Sequence, residues 1–314
     1  MLESANKTKK HMTQFLHPKH WLTWIVISLM WLVSQLPWRL QMMVGGGIGR
    51  LLHAVMKKRR EVCLRNLEIA FPEKTDEQRA TLCKAHFISL GKGLMDISFS
   101  WWGSQEALLK RSRIEGLENL EHALATKRPI IFLSTHFTSL EVSGSIIADK
   151  LESCFVFRPH KNPLLNHVGV ARRETRFGKT IAKDNIRDMI RQLKLGKAVW
   201  YAPDQNFRGK GYVMMPFFGL DASTNPATSR LSKLSNALVI PIFCTREDQD
   251  RANEGYTLHI SPALDNFPSD NINDDTLRIN QVVEEQIRAF PEQYLWVHKR
   301  YKGSQIDGRN VYSS

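Results

Sequence analysis

The chain has 314 residues, 42% hydrophobic and 24% charged, a balance that excludes extended disorder and allows one large domain or two small ones. Its formal net charge of +13 implies an acidic partner: nucleic acid, an anionic membrane surface, a phosphorylated substrate or an acidic carrier protein. The four cysteines, Cys63, Cys83, Cys154 and Cys244, are too scattered for a zinc motif or a disulfide framework, which suits a reducing compartment.

Residues 21–38 read WLTWIVISLMWLVSQLPW, 18 positions without an acid, Lys, Arg or His. A helix of that length extends about 27 Å, just short of a hydrocarbon core of about 30 Å, so a tight span and a deeply buried interfacial helix both fit. Trp21 and Trp38 stand at its two ends, where indole rings favour the headgroup boundary; alternatively Trp24 and Trp31, in line with Trp38, mark one lipid-facing stripe. A cleaved signal peptide competes, because Lys7, Lys9 and Lys10 precede the apolar stretch. No small-x-small cleavage site follows it, which favours a retained membrane anchor over residues 1–40. Basic residues lie on both sides of the segment, so charge does not orient it.

Residues 41–114 read as helical, with Leu51, Val55, Val62, Leu64 and Leu67 at helical spacing. Gly45, Gly46, Gly47 and Gly49 do not form a dinucleotide fingerprint, since no strand precedes them; close packing of a helix near the membrane is the expected use. Lys57, Lys58, Arg59 and Arg60 form either a solvated face or a patch for anionic lipid.

From residue 115 onward strands and helices alternate. Apolar runs at 130–133, 154–157, 198–202 and 238–244 read as buried strands, separated by helical segments at 139–151, 163–177, 186–195 and 227–236. Residues 256–262 suggest a further strand, antiparallel and near an edge, followed by a closing helix at 277–290 and a last strand at 294–297. The alternation predicts an α/β fold with a mainly parallel sheet flanked by helices, an N-terminal membrane-anchoring helix and a helical N-terminal region. The predicted organisation is an anchor at 1–40 and one domain at 41–314, helical over 41–114 and sheet-containing over 115–314.

Chemistry is concentrated where apolar strands end. His136 and Glu141 follow the run at 130–133, but 11 histidines in a chain about one-tenth acidic give a His-x4-Asp/Glu match about once by chance. If His136 sits on the turn and Glu141 in the next helix's first turns, the carboxylate can fix the ring's tautomer and stabilise the imidazolium of a general base. The structural alternative is a histidine satisfied by local backbone and a glutamate complementing a helix dipole. Arg158 ends the run at 154–157, and Arg172, Arg173 and Arg176 follow on a helix; an arginine can clamp a phosphate or stabilise an oxyanion, or simply face solvent. Asp204, after Pro203, ends the run at 198–202 and is either a turn residue or a group facing the same crevice as His136. The apolar stretch 213–219, VMMPFFG, suits core filling or the wall of a lipid-chain tunnel.

Five segments, RREVCLRNLEIAFPE (59–73), THFTSLE (135–141), FRPHKNPLL (157–165), GKAVWYAPDQNF (196–207) and PEQYLWVHKRYK (291–302), resemble in order the late acyltransferases of lipid A biosynthesis. These are membrane-bound lauroyl and myristoyl transferases of Gram-negative bacteria. The resemblance covers nearly the whole chain, while the loop DQNFRGKG after Pro203 departs from the expected pattern. It implies transfer of a fatty acyl chain from acyl carrier protein to a hydroxyl on an acyl chain of a lipid A precursor. The implied partners are that carrier, the precursor and inner-membrane lipid, with no nucleic acid, metal or cofactor, and with the catalytic domain facing the cytoplasm. The family's His-Glu pair falls on His136 and Glu141, and its arginine and aspartate positions on Arg173 and Asp204; Arg158 is added on physical grounds. Oxyanion or substrate-binding roles are expected for Arg173, Arg158 and Asp204. Rival readings are acyl transfer to a lysophospholipid or a glycosylated phosphatidylinositol, and a non-catalytic membrane-tethered lipid-binding protein.

Overall fold

The computed structural model describes residues 14–247 and 254–313; Lys7, Lys9 and Lys10 lie outside them. The chain opens with helices α1 (Trp21–Ser34), α2 (Trp38–Val55), α3 (Lys57–Ala70), α4 (Asp76–Trp102) and the short α5 (Gln105–Leu109). Then come β1 (Ser112–Glu115), α6 (Leu117–Ala125), β2 (Ile130–Ser134), α7 (Leu140–Ile147), β3 (Ser153–Phe157), α8 (Pro163–Arg176) and β4 (Thr180–Ala182). After α9 (Ile186–Lys194) and β5 (Ala198–Tyr201), β6 (Val213–Phe217) and β7 (Leu220–Thr224) form an antiparallel hairpin. The sequence closes with α10 (Ala227–Ser235), β8 (Leu238–Glu247), β9 (Gly255–Ile260), α11 (Ile272–Ala289) and a two-residue strand pair, β10 (Gln305–Ile306) with β11 (Arg309–Asn310).

Seven strands make one sheet in the order β1-β9-β8-β2-β5-β3-β4. Every neighbouring pair is parallel except β8 with β9, so the expected mainly parallel sheet is present and β9 runs antiparallel to β8 as its sequence suggested. The continuous apolar run of β2 has a simple cause. Ile130 and Phe132 enter one core cluster and Ile131 and Leu133 another, so both faces of the strand are covered and neither can be polar.

The N-terminal segment differs from a single helix. Pro37 disfavours helical backbone at the residue before it, so α1 ends at Ser34 and a new helix starts at Trp38. Among the described residues no helix is long and apolar enough to cross a membrane. The tryptophan stripe also differs: Trp38 is buried and donates from Nε1 to Tyr256, and Trp24 donates to the Phe15 carbonyl. The outward apolar face keeps Trp21 and Trp31 and adds Leu22, Ile25, Val26, Leu29 and Leu32, continued on α2 by Leu40, Met43, Leu51 and Val55. Of the apolar residues at helical spacing, Leu51 and Val55 point outward, whereas Val62 and Leu67 are buried.

Helix α4 is the spine against which α1, α2, α3, α5, α7 and α8 pack. A capping box at Thr75 and Gln78 starts it, and at 27 residues it runs about 40 Å. Helix α2 approaches it through glycine: a Cβ on Gly49 would stand 2.3 Å from the Phe87 carbonyl oxygen, and one on Gly91 2.2 Å from that of Gly45. The expected close packing of the glycine run is thus between α2 and α4. In the hairpin, Phe217 and Phe218 pack into the core with Phe71, Trp296 and Tyr301, so these two residues fill core. Residues 294–297 are not a strand; the segment makes one isolated bridge, Tyr294 to Phe137.

Candidate active site

The parallel register of β2 and β5 pairs Leu133 with Tyr201. His136 and Asp204 each lie three residues beyond that pair, so the two chains leave the sheet side by side and bring these side chains together. Nδ1 of His136 lies 2.6 Å from Oδ1 of Asp204, and the His136 backbone N–H donates to Oδ2 at 3.1 Å. Asp204 is buried, while the His136 ring reaches a cleft of about 520 Å³. Burial works to lower the His136 pKa, but the charge and hydrogen bond of Asp204 outweigh it and leave the pKa raised. Burial likewise opposes ionisation of Asp204, and His136 outweighs it, leaving that carboxyl below its usual range. Nε2 of His136 has no hydrogen-bond partner among the described residues.

Glu141 is held elsewhere. It sits in the first turn of α7, and its carboxylate takes a two-pronged ion pair from Arg173 of α8: Nε to Oε1 at 2.6 Å and Nη2 to Oε2 at 3.0 Å. Trp101, near the end of α4, donates Nε1 to the same Oε1 at 2.7 Å, and the Arg173 guanidinium lies over its ring. The expectation that Glu141 reaches back to the His136 ring is therefore corrected. The histidine's carboxylate is Asp204, because strand register delivers Asp204 to Nδ1 while the helix turns Glu141 toward Arg173. The same pairing engages the Arg173 fork on Glu141, whereas Arg158, exposed at the end of β3, lines the cleft with His136. Lys183, Arg208 and Lys210 also line it.

Several residues that hold the site had no spacing to reveal them. Thr138, two residues beyond His136, accepts from Arg246 at 3.0 Å, and Arg246 is itself paired with buried Asp96 of α4 at 3.1 Å. The segment at 293–302 clamps both strand exits. Its Leu295 N–H donates to the His136 carbonyl, and its Gln293 carbonyl accepts from the Thr138 N–H. His298 Nε2 accepts from the Asn206 N–H at 3.1 Å, and Asn206 donates its side-chain amide to the carbonyls of Arg300 and Lys302. Accepting at Nε2 means that His298 is neutral; burial, reinforced by the charge of His136, lowers its pKa to about 4. The resemblance marked 291–302, but only the fold shows why.

Cys154 lies fully buried in β3, where burial raises its thiol pKa, so it is not placed as a nucleophile. Among the described residues no group of three or more His, Cys, Asp or Glu side chains is placed to hold a metal ion.

The model of the bacterial lipid A biosynthesis acyltransferase family matches residues 8–303. The chain belongs to that family. It is 33% identical over 304 residues to the lipid A biosynthesis palmitoleoyltransferase of Escherichia coli (strain K12), covering 96% of this chain and 98% of that protein. The lauroyltransferase of the same organism is 33% identical over 294 residues, covering 93% and 95% of the two chains. Its myristoyltransferase is 25% identical over 290 residues, covering 92% and 89%. The resemblance drawn from five segments is thus borne out over nearly the whole chain, with His136, Asp204, Glu141 and Arg173 all inside the matched region.

Proposed function

We propose that this acyltransferase moves a fatty acyl chain from an acyl carrier protein thioester to a hydroxyl on an acyl chain of a lipid A precursor, with His136 as general base. The observation that carries this reading is a histidine whose Nδ1 is held by a buried carboxylate while Nε2 is free at a cleft. With Asp204 ionised, the neutral ring carries its proton on Nδ1, and Nε2 is left to accept one. Nε2 takes the proton of the acceptor hydroxyl as its oxygen attacks the thioester carbonyl carbon. The C–S bond then breaks, and the imidazolium returns the proton to the departing thiolate, giving an ester and a thiol. Asp204 stabilises the imidazolium between these steps. Arg158, exposed at the cleft and without an ion pair among the described residues, is positioned to meet negative charge there, on the tetrahedral oxygen or on a phosphate. Glu141 and Arg173 act as a positioning pair that fixes α7 against α8.

The acceptor reaches the cleft from the membrane surface in this reading. Asn162, just past Arg158, donates to Thr23 of α1 at 2.8 Å, so the cleft's rim adjoins the helix that exposes Leu22, Ile25 and Leu29. Helix α1 spans about 21 Å, which fits a helix lying in the interface of the bacterial inner membrane with the catalytic domain on the cytoplasmic side. Lys183, Arg208 and Lys210 would meet the phosphates of the glycolipid.

The test is purified protein in detergent, supplied with acyl carrier protein thioesters and a lipid A precursor, with products weighed by mass spectrometry. Ester formation that His136→Ala abolishes is expected. Unchanged transfer by that variant sinks the assigned base, and absence of transfer to every precursor tried sinks the assigned acceptor.

A further inference from the structure

A groove of about 1080 Å³ runs between α3 and the C-terminal strand pair, away from the His136 cleft. Lys58, Arg59, Arg65, Lys299 and Arg309 line it, against two carboxylates, Glu61 and Asp307. Lys58 and Arg309 have no ion pair among the described residues, the Arg59 guanidinium donates to the Val297 carbonyl, and the Lys299 ammonium lies over the Tyr312 ring. Arg65 alone is neutralised, by Glu68. Five basic side chains thus stand against three carboxylates, Glu61, Asp307 and Glu68, which leaves the groove with a net positive charge.

We propose that this groove docks an acidic protein, which, resting on the function proposed above, is the carrier that delivers the acyl thioester. Charge complementarity is the first reason. The second is that the surface is not apolar: the strongly exposed large apolar side chains lie on α1, α2 and elsewhere, and none belongs to α3 or to residues 299–313. A lipid-facing wall would carry such side chains, whereas a wet, basic, open groove fits a soluble acidic partner. The third reason is continuity with the site. Arg59 also lines a smaller cleft of about 290 Å³ with Met56, Leu90, Leu295, Val297 and His298. His298 is bonded to Asn206, two residues from Asp204. A partner seated on the basic groove thus borders a largely apolar cleft whose His298 accepts from the Asn206 N–H beside the reactive pair. An acidic body followed by an apolar chain matches a basic groove that shares Arg59 with an apolar cleft.

The experiment is fluorescence anisotropy of labelled acyl carrier protein with the full-length protein in detergent, run beside transfer assays. The Lys58→Glu/Arg309→Glu double variant alters two exposed side chains, and Lys150→Glu serves as an exposed control. The double variant is expected to weaken carrier binding about tenfold or more and to lose most of the salt dependence shown by the wild type, with the control unchanged. In transfer assays KM for the carrier-borne donor rises while KM for the lipid acceptor does not. Equal carrier affinity in wild type and double variant overturns the proposal. So does a rise in acceptor KM alone, which would give the groove to glycolipid phosphates. If the wild type binds the carrier through these residues but accepts no acyl group from it, the donor assignment fails and the docking surface stands.

Discussion

The His136 ring and the Asp204 carboxylate, 68 residues apart in sequence, meet at 2.6 Å because two neighbouring strands end in register. Asp204 thus outweighs a burial effect that would push His136 the other way.

Replacing Asp204 by Asn tests that balance. Catalysis needs neutral His136, so the wild-type rate rises with pH through a pKa above the ordinary value of about 6.5. In Asp204→Asn the raising influence is gone and burial remains, so the limb moves to lower pH. The rate on its plateau falls by about 10³–10⁴-fold, because the tautomer is no longer fixed and the imidazolium is unstabilised. A pH–rate profile of transfer reads both effects, and a limb that does not move refutes the coupling.

The Glu141–Arg173 pair predicts non-additivity. Both side chains are 14% exposed, so removing one leaves a largely dehydrated charge and costs about 3 kcal/mol. Glu141→Gln and Arg173→Gln should each lower the midpoint of denaturant unfolding, and the double variant should lose clearly less than the two together. Additive losses would show that the pair is not coupled.

His86 should make the fold sensitive to acid. It is fully buried in α4, and burial, only partly opposed by its bond to the Glu292 carbonyl, lowers its pKa to about 4. Between about pH 6.5 and 4 the unfolded chain binds a proton that the folded one refuses, so stability is complete above that window and is lost as pH falls through it. The slope is about 1.4 kcal/mol per pH unit from this group. His298 acts with the same sign. His86→Gln should flatten the fall measured by denaturant unfolding at several pH values, leaving the part due to His298.

The α2–α4 contact predicts opposite outcomes at neighbouring glycines. Gly49→Ala forces a Cβ toward the Phe87 carbonyl and should cost about 1–3 kcal/mol or more, since backbone cannot yield as a side chain would. Gly47 faces open space on the same helix, so Gly47→Ala should stabilise by up to about 1 kcal/mol. Thermal unfolding in one detergent compares them.

The four buried strands were legible in sequence because both their faces are covered, which makes continuous apolar runs. Helices α8, α9 and α10 ended within a residue of expectation. β1 was missed because its four residues, SRIE, alternate between exposed and half-buried positions and leave no apolar run. Residues 294–297 misled because their apolar side chains pack around a loop rather than along a sheet. In the site, the His136–Glu141 spacing was visible but Asp204 was only one of two open readings, since its meeting with His136 depends on register. The Arg173–Glu141 pair depends on the angle between α7 and α8, which no spacing encodes.

The meeting at the sheet edge depends on counting. Thr135 and the residues between Tyr201 and Asp204 serve partly as spacers, each exit three steps long past a common rung. A deletion of one residue on either exit would carry one partner out of reach of the other while leaving every strand intact. Length in these two short stretches is therefore under tighter constraint than side-chain identity, and natural variation in gap placement should stop short of both.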